Sequence, residues 1–290
     1  MTEWTGVAGK RVVITGATNG IGLAAAHQLA ALGAELTIVA RSEARAAAAV
    51  ASIRESGGER DRASESQVAI ADLLSQAEVR RLAAELLDRY ERIDVLVNNA
   101  GAIFASRRLT VDGIEATWAL NHLAPFLLTN LLLERLKQHP PARIVTTASD
   151  AHRGSRIPFD NMGADGRWKG RGFARYGETK LANILFTAEL GRWLEGSGVT
   201  ATCYHPGLVA TGFNRTNGRL MNLAMAAIKP FARPPEKGAE TLVWLAASPE
   251  VSGENGGYFV DKRRILPSPE GQDMATAKLL WEVSRQQTQR

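Results

Sequence analysis

The chain has 290 residues, enough for one large core or two small ones, and its 45% hydrophobic and 22% charged content is that of an ordinary soluble globular protein. Its net charge of +5 is scattered, with local basic clusters only at 167–175 and 262–264, which argues against a nucleic-acid-binding surface. The single cysteine, Cys203, excludes an internal disulfide and a cysteine metal cluster and points to a reducing cytoplasm.

The first ten residues carry no apolar leader, and no apolar run reaches the roughly 18 residues of a membrane span. From there, β-branched runs alternate with longer helix-compatible ones. "RVVITG" at 11–16 predicts a strand and "IGLAAAHQLAALG" at 21–33 a helix closed by Gly33. "AELTIVAR" at 34–41 is a second strand, and 42–58 a helix opened by Ser42. Strand 66–73 and helix 75–90 follow, then a strand in "IDVLVNNAG" at 93–101. The apolar run 118–136 predicts a buried helix, interrupted by Asn121, His122, Pro125 and Asn130. Strand 142–149, a helix from Tyr176, strand 198–207 and a short strand at 256–261 complete the series. This alternation predicts βαβ units. The expected fold is α/β: one Rossmann-type domain over 1–290, with a doubly wound parallel sheet of about seven strands. Segments 150–175 and 208–235 break the pattern and are expected to build the substrate site.

Two ends of this fold carry chemistry. In "TGATNGIG", Gly16, Gly20 and Gly22 sit between the first strand and first helix, where glycine lets backbone N–H groups approach a pyrophosphate and the helix dipole favours it. Arg41 ends the second strand, where NAD-specific enzymes place an acid. A guanidinium there suits the 2′-phosphate of NADP. Asp72 ends the third strand, placed to accept from an adenine amino group. "NNAG" at 98–101 lets the backbone pass under a ribose. At the other end, Tyr176 and Lys180 lie one helical turn apart on one face, so the ammonium is expected to lower the phenol pKa from near 10. Ser149 ends the fifth strand.

In this order, "TGATNGIG", "NNAG", Asn121, Ser149, "YGETK" and "HPG" resemble the short-chain dehydrogenase/reductase family over roughly 10–261. "NHLAPFLLTNLLL", "YGETKLANILFTAEL" and "HPGLVATGF" narrow the resemblance to its retinol-dehydrogenase-like branch. The chain departs from that branch at Ala148–Ser149, where two serines are usual, and at Ala124–Pro125, where Gly-His is common. The resemblance implies a catalytic set of Asn121, Ser149, Tyr176 and Lys180. Ser149 and Tyr176 would bond the substrate oxygen, Tyr176 would transfer the proton, and Lys180 would hold the nicotinamide ribose. Asn121 would position a water behind Lys180. It also implies cofactor contacts from Gly16, Thr18, Asn19, Gly20, Ile21, Gly22, Arg41, Ser42, Asp72, Leu73, Asn99, Ala100, Gly101, Pro206, Gly207, Val209 and Thr211.

The reading is therefore an NADP-dependent oxidoreductase of a carbonyl or alcohol, with NADP as cofactor and no metal. The alternatives are reduction of an activated C=C bond and a non-catalytic dinucleotide sensor on the same fold. The expected partner is a small apolar molecule under a lid formed by 208–231; the basic lip containing Arg153, Arg156, Arg167, Lys169, Arg171 and Arg175 is read either as a solvated rim or as a means of capturing an anionic substrate. A homodimer or homotetramer is expected through the long helices at 114–136 and 176–194.

Overall fold

A computed structural model of the chain describes residues 4–56, 66–165, 168, 172–209 and 232–289. In chain order the elements are β1 (Arg11–Thr15), α1 (Gly20–Ala31), β2 (Glu35–Ala40), α2 (Glu43–Ser56), β3 (Gln67–Ile70), α3 (Gln76–Arg89) and β4 (Val95–Asn98). Then come α4 (Ala116–Trp118), a π-helical turn (Ala119–Leu123), α5 (Ala124–Gln138), β5 (Ala142–Thr147), α6 (Phe173–Trp193) and β6 (Val199–His205). The C-terminal part adds α7 (Pro235–Ala247), β7 (Gly257–Val260), β8 (Arg263–Ile265) and α8 (Met274–Thr288).

The strands form one sheet in the order β3-β2-β1-β4-β5-β6-β7-β8, parallel from β3 to β7. The strand order reverses between β1 and β4, so a crevice opens beyond their C-terminal ends. Alternation along β1 builds a core on each face: Val12 and Ile14 pack with Leu29, Leu36 and Leu242, whereas Val13 packs with Leu82, Leu96 and Leu132. All of these side chains are fully buried, which is why the strands read as continuous apolar runs.

Among the described residues the sheet has eight strands where about seven were expected. β8 is antiparallel to β7, with Val260 opposite Arg263 across a two-residue turn. Asp261 and Lys262 both have positive φ, 48° and 61°, as a tight hairpin turn of this twist requires. Glycine or asparagine would have advertised that turn; lysine does not.

The run 118–136 is not one regular helix. Pro125 has no N–H, so the Asn121 carbonyl lacks its α-helical donor. The chain absorbs this with the π turn, in which Ala124 N–H bonds Ala119 O, five residues back.

Helix α8 was not anticipated. Asp273 caps it, its carboxylate accepting from Ala275 and Thr276 N–H at 2.9 and 3.2 Å. Trp281 then packs 5.1 Å from Phe126, 5.8 Å from Phe186 and 5.5 Å from Trp193, ring centre to ring centre. The chain's own last helix thus packs along α6 and reaches α5 at Phe126, on helices expected to meet a second copy of the chain.

Candidate active site

The β1–α1 turn begins the site. Gly16 has φ of 70° and Gly20 of 54°. A Cβ on Gly22 would lie 2.4 Å from both Asn99 Nδ2 and Gly16 O, so no larger residue fits there. Asn19 precedes α1 with extended backbone and its side chain caps no N–H. The N-terminus of α1 therefore keeps its donors and dipole for a ligand, which is the arrangement a pyrophosphate needs. Thr18 is half-buried and Asn19 exposed, while Ile21 and Val209 both line the space that a Cβ on Gly238 would enter.

Asn99 binds this turn to β4. Its Nδ2 donates to Thr15 O at 3.0 Å and Gly16 O at 3.2 Å. Thr15 Oγ1 accepts in return from Asn99 and Ala100 N–H, at 3.0 and 3.1 Å. Thr15 escaped the sequence reading because a threonine near a strand end looks like ordinary β propensity. Arg41, just beyond β2, is exposed and makes no hydrogen bond or ion pair with any described residue. Ser42 is half-buried and its carbonyl accepts from Ala46 N–H at 3.0 Å. Asp72 is exposed, accepting from Leu74 N–H at 3.1 Å, and Leu73 is half-buried. The β3 and β4 ends thus border the same crevice as Arg41.

Gly101 joins this half of the site to the other. A Cβ there would stand 3.2 Å from Asn121 Oδ1 and 3.8 Å from Lys180 Nζ. Lys180 is 3% exposed. Its Nζ donates to Thr147 O at 2.7 Å and lies 5.4 Å from the centre of the Tyr176 ring. Burial pushes the Lys180 ammonium down to about 7. Burial pushes the Tyr176 phenol up to about 12, against the pull of a hydrogen bond with Ser149. The Tyr176 pKa is thus raised where the sequence predicts a fall: burial is the larger cause, and the hydrogen bond with Ser149 is what pulls the other way. Ser149 follows β5, and its Oγ accepts from Ala151 N–H at 3.2 Å.

The Asn121 side chain is fully engaged. Oδ1 accepts from Ala102 N–H at 2.8 Å, and Nδ2 donates to Ala102 O at 2.9 Å and to Thr179 Oγ1 at 3.1 Å. Thr179 Oγ1 donates to Tyr176 O at 2.7 Å. Asn121 thereby connects the segment after β4 to the first turns of α6. Thr147 and Asn183 are further residues missed from sequence: Asn183 Nδ2 also donates to Thr147 O, at 3.3 Å, and Thr147 Oγ1 donates to Asn99 Oδ1 at 3.4 Å. Only the fold brings these together, and no motif marks them.

Around the mouth, the expected basic lip is smaller than its sequence. Arg175 is 3% exposed and bound to Glu115, so it belongs to the interior. Arg153 pairs with Asp150 at 2.6 Å, and Arg156 is exposed. Arg167, Lys169 and Arg171 lie outside the described residues. Gly207, φ 80°, turns the chain after Pro206, and Leu208 O accepts from Arg233 N–H at 2.7 Å. Val209 bridges to Arg233, whereas Thr211 and the expected lid up to 231 lie outside the described residues. No helix among the described residues is long and apolar enough to cross a membrane.

A protein-family model described as short chain dehydrogenase matches residues 10–221. Retinol dehydrogenase 14 of Mus musculus is 39% identical, the match covering 95% of this chain and 85% of that protein. A Streptomyces sp. (strain C5) protein named as a candidate daunorubicin C-13 ketoreductase is 41% identical over 98% of this chain and 94% of its own. Among solved structures, a protein from Mycobacterium paratuberculosis superposes with a TM-score of 0.76 at 33% identity, over 99% of this chain and 98% of that one. A short chain dehydrogenase from Burkholderia cenocepacia J2315, crystallised with NADP, does so with a TM-score of 0.68 at 28% identity, covering 87% of this chain and 96% of its own. By this similarity, and by the strand order and glycine turn already described, the chain belongs to the short-chain dehydrogenase family of oxidoreductases and is retinol-dehydrogenase-like within it.

Proposed function

We propose that this oxidoreductase uses NADP and acts on the carbonyl or alcohol group of an apolar small molecule. The observation that carries the reading is the convergence of Ser149, Tyr176 and Lys180 on the C-terminal end of β5, beside a glycine turn whose helix N-terminus is left uncapped. Gly16, Thr18, Asn19, Gly20, Ile21 and Gly22 would hold the pyrophosphate. Arg41 and Ser42 would hold the 2′-phosphate, and Asp72 and Leu73 the adenine. Asn99, Ala100 and Gly101 would lie under the adenosine ribose, with Pro206, Gly207, Val209 and Thr211 around the nicotinamide. The exposed, unengaged Arg41 supports NADP over NAD, since a charge-assisted bond needs a free guanidinium.

When bound, the dinucleotide supplies the hydride or accepts it. The chain's own residues handle the oxygen and its proton. With a phenol pKa near 12, Tyr176 holds its proton at neutral pH and is ready to donate it as negative charge develops on a carbonyl oxygen. Ser149 provides a second donor to the same oxygen. Lys180, pushed down to about 7 by burial, exchanges its own proton readily; its Nζ lies 5.4 Å from the centre of the Tyr176 ring and would restore the phenol through a bridging hydroxyl or water. Asn121 acts by posture: it fixes the β4 extension against α6. The names of the relatives, a retinol dehydrogenase and a candidate ketoreductase, support an apolar alcohol, aldehyde or ketone as substrate. The lone buried Cys203 fits work in a reducing cytoplasm.

The test is loss of NADPH absorbance over a panel of apolar aldehydes, ketones and enones. Turnover of the carbonyl compounds supports the reading; turnover confined to enones would replace it with C=C reduction.

A further inference from the structure

Tyr176 stands in the first turn of α6, and that helix begins poorly protected. Its capping residue is Gly172, φ 87°, which has no side chain to bind an orphan N–H. The residue immediately before Tyr176 does not cap these N–H groups but ties the turn to its surroundings through its side chain. Arg175 is 3% exposed and its guanidinium is divided among three elements. Nε donates to Glu115 Oε2 at 2.8 Å, one terminal nitrogen donates to Glu178 Oε2 at 2.8 Å, and the other donates to Met162 O. The group also lies 4.8 Å from the centre of the Trp118 ring.

Glu115, fully buried, is equally committed. Oε1 accepts from Thr117 N–H at 2.8 Å and Thr117 Oγ1 at 2.9 Å; Oε2 accepts from Trp118 N–H at 3.0 Å as well as from Arg175. It caps the short helix that leads into the π turn carrying Asn121. Both carboxylate oxygens are thus saturated, and each of the three guanidinium nitrogens donates a hydrogen bond, the kind of pairing that a buried ion pair requires.

We infer that Arg175 is a positioning residue for the proton donor: with Glu115 it fixes the first turn of α6, and hence Tyr176, against the Asn121 segment and the 157–165 loop. The inference rests on the proposed role of Tyr176. Lysine keeps the charge but cannot reproduce a three-way planar fork. A displacement of the order of 1 Å at a reacting group costs up to about 100-fold in rate.

The experiment uses Arg175→Lys, Glu115→Gln and the double variant, with Tyr176→Phe as control. It measures kcat, KM, the solvent isotope effect on kcat, the melting temperature, and the NADPH dissociation constant by fluorescence. Arg175→Lys is expected to lower kcat about 10- to 100-fold while leaving the NADPH dissociation constant within about twofold. Its solvent isotope effect should rise, because a misplaced phenol makes proton transfer limiting. The double variant should be no worse than the more impaired single one. If the Arg175→Lys protein is folded and binds NADPH but keeps wild-type kcat and isotope effect, the inference is wrong. A fall in kcat with an unchanged isotope effect and a lowered melting temperature would reduce Arg175 to a stabilising role and also overturn it. Retained turnover in Tyr176→Phe would instead defeat the functional reading itself, independently of the Arg175 result.

Discussion

Lys180 Nζ is bonded to the Thr147 carbonyl at 2.7 Å, so the buried lysine is held by the end of β5 and not by a carboxylate. No described anion is bonded to it, and burial therefore decides its charge. In the folded chain its pKa falls from 10.5 to about 7. The unfolded chain keeps the proton up to the higher value, so between the two the unfolded state binds more protons. Stability should rise with pH across this window and fall as pH drops toward 7, by on the order of 1 kcal/mol per unit. Urea midpoints at pH 7, 8 and 9 check this, and Lys180→Met should flatten the trend. An equally steep trend in Lys180→Met would assign the effect to other groups.

Tyr176→Phe removes the proton donor and leaves the ring. Turnover of a carbonyl substrate should drop at least about 100-fold, with little change in NADPH affinity. Steady-state kinetics and a binding titration on the same preparation separate the two effects.

Arg41 should make NADPH bind more tightly than NADH. A charge-assisted bond to the 2′-phosphate contributes about 1.5–3 kcal/mol, or roughly ten- to a hundredfold in affinity. Arg41→Asp should reverse the order, since a carboxylate repels the phosphate and accepts from bare ribose hydroxyls. The check is both dissociation constants for both proteins at one salt concentration. An unchanged ratio would show that another residue sets the preference.

Thr15→Val keeps the shape but deprives Asn99 and Ala100 N–H of their shared acceptor. A loss of about 1–3 kcal/mol is expected, together with weaker dinucleotide binding, because the crevice floor loosens. Denaturant unfolding with and without NADPH measures each part.

Trp281→Ala should cost about 3–5 kcal/mol, the range for removing a large buried aromatic side chain. It also uncovers Phe126 and Phe186 on α5 and α6. Light scattering of both proteins at micromolar concentration tests whether these helix faces are closed by α8 or shared with a second copy. New association in the variant alone would show that α8 occupies a latent interface.

Local pattern carried most of the fold. The seven strands β1 to β7, the helices α1, α2, α3 and α6 and the glycine turn are all written in short-range periodicity and turn chemistry, which depend on residues a few positions apart. The spacing of Tyr176 and Lys180 was legible for the same reason: one helical turn is a local distance. What the sequence alone did not reveal lies in contacts between distant segments or in uncommon backbone states. The hairpin to β8 turns on a lysine at φ 61°, and α8 matters through Trp281 reaching Phe126 and Phe186. Arg175 reads as one more basic residue of a surface loop until packing buries it against Glu115, 60 positions away. The tertiary structure also reversed the sign of an electrostatic argument. Adjacency on a helix said that Lys180 would lower the Tyr176 pKa, but desolvation, which depends on everything packed around the phenol, raised it.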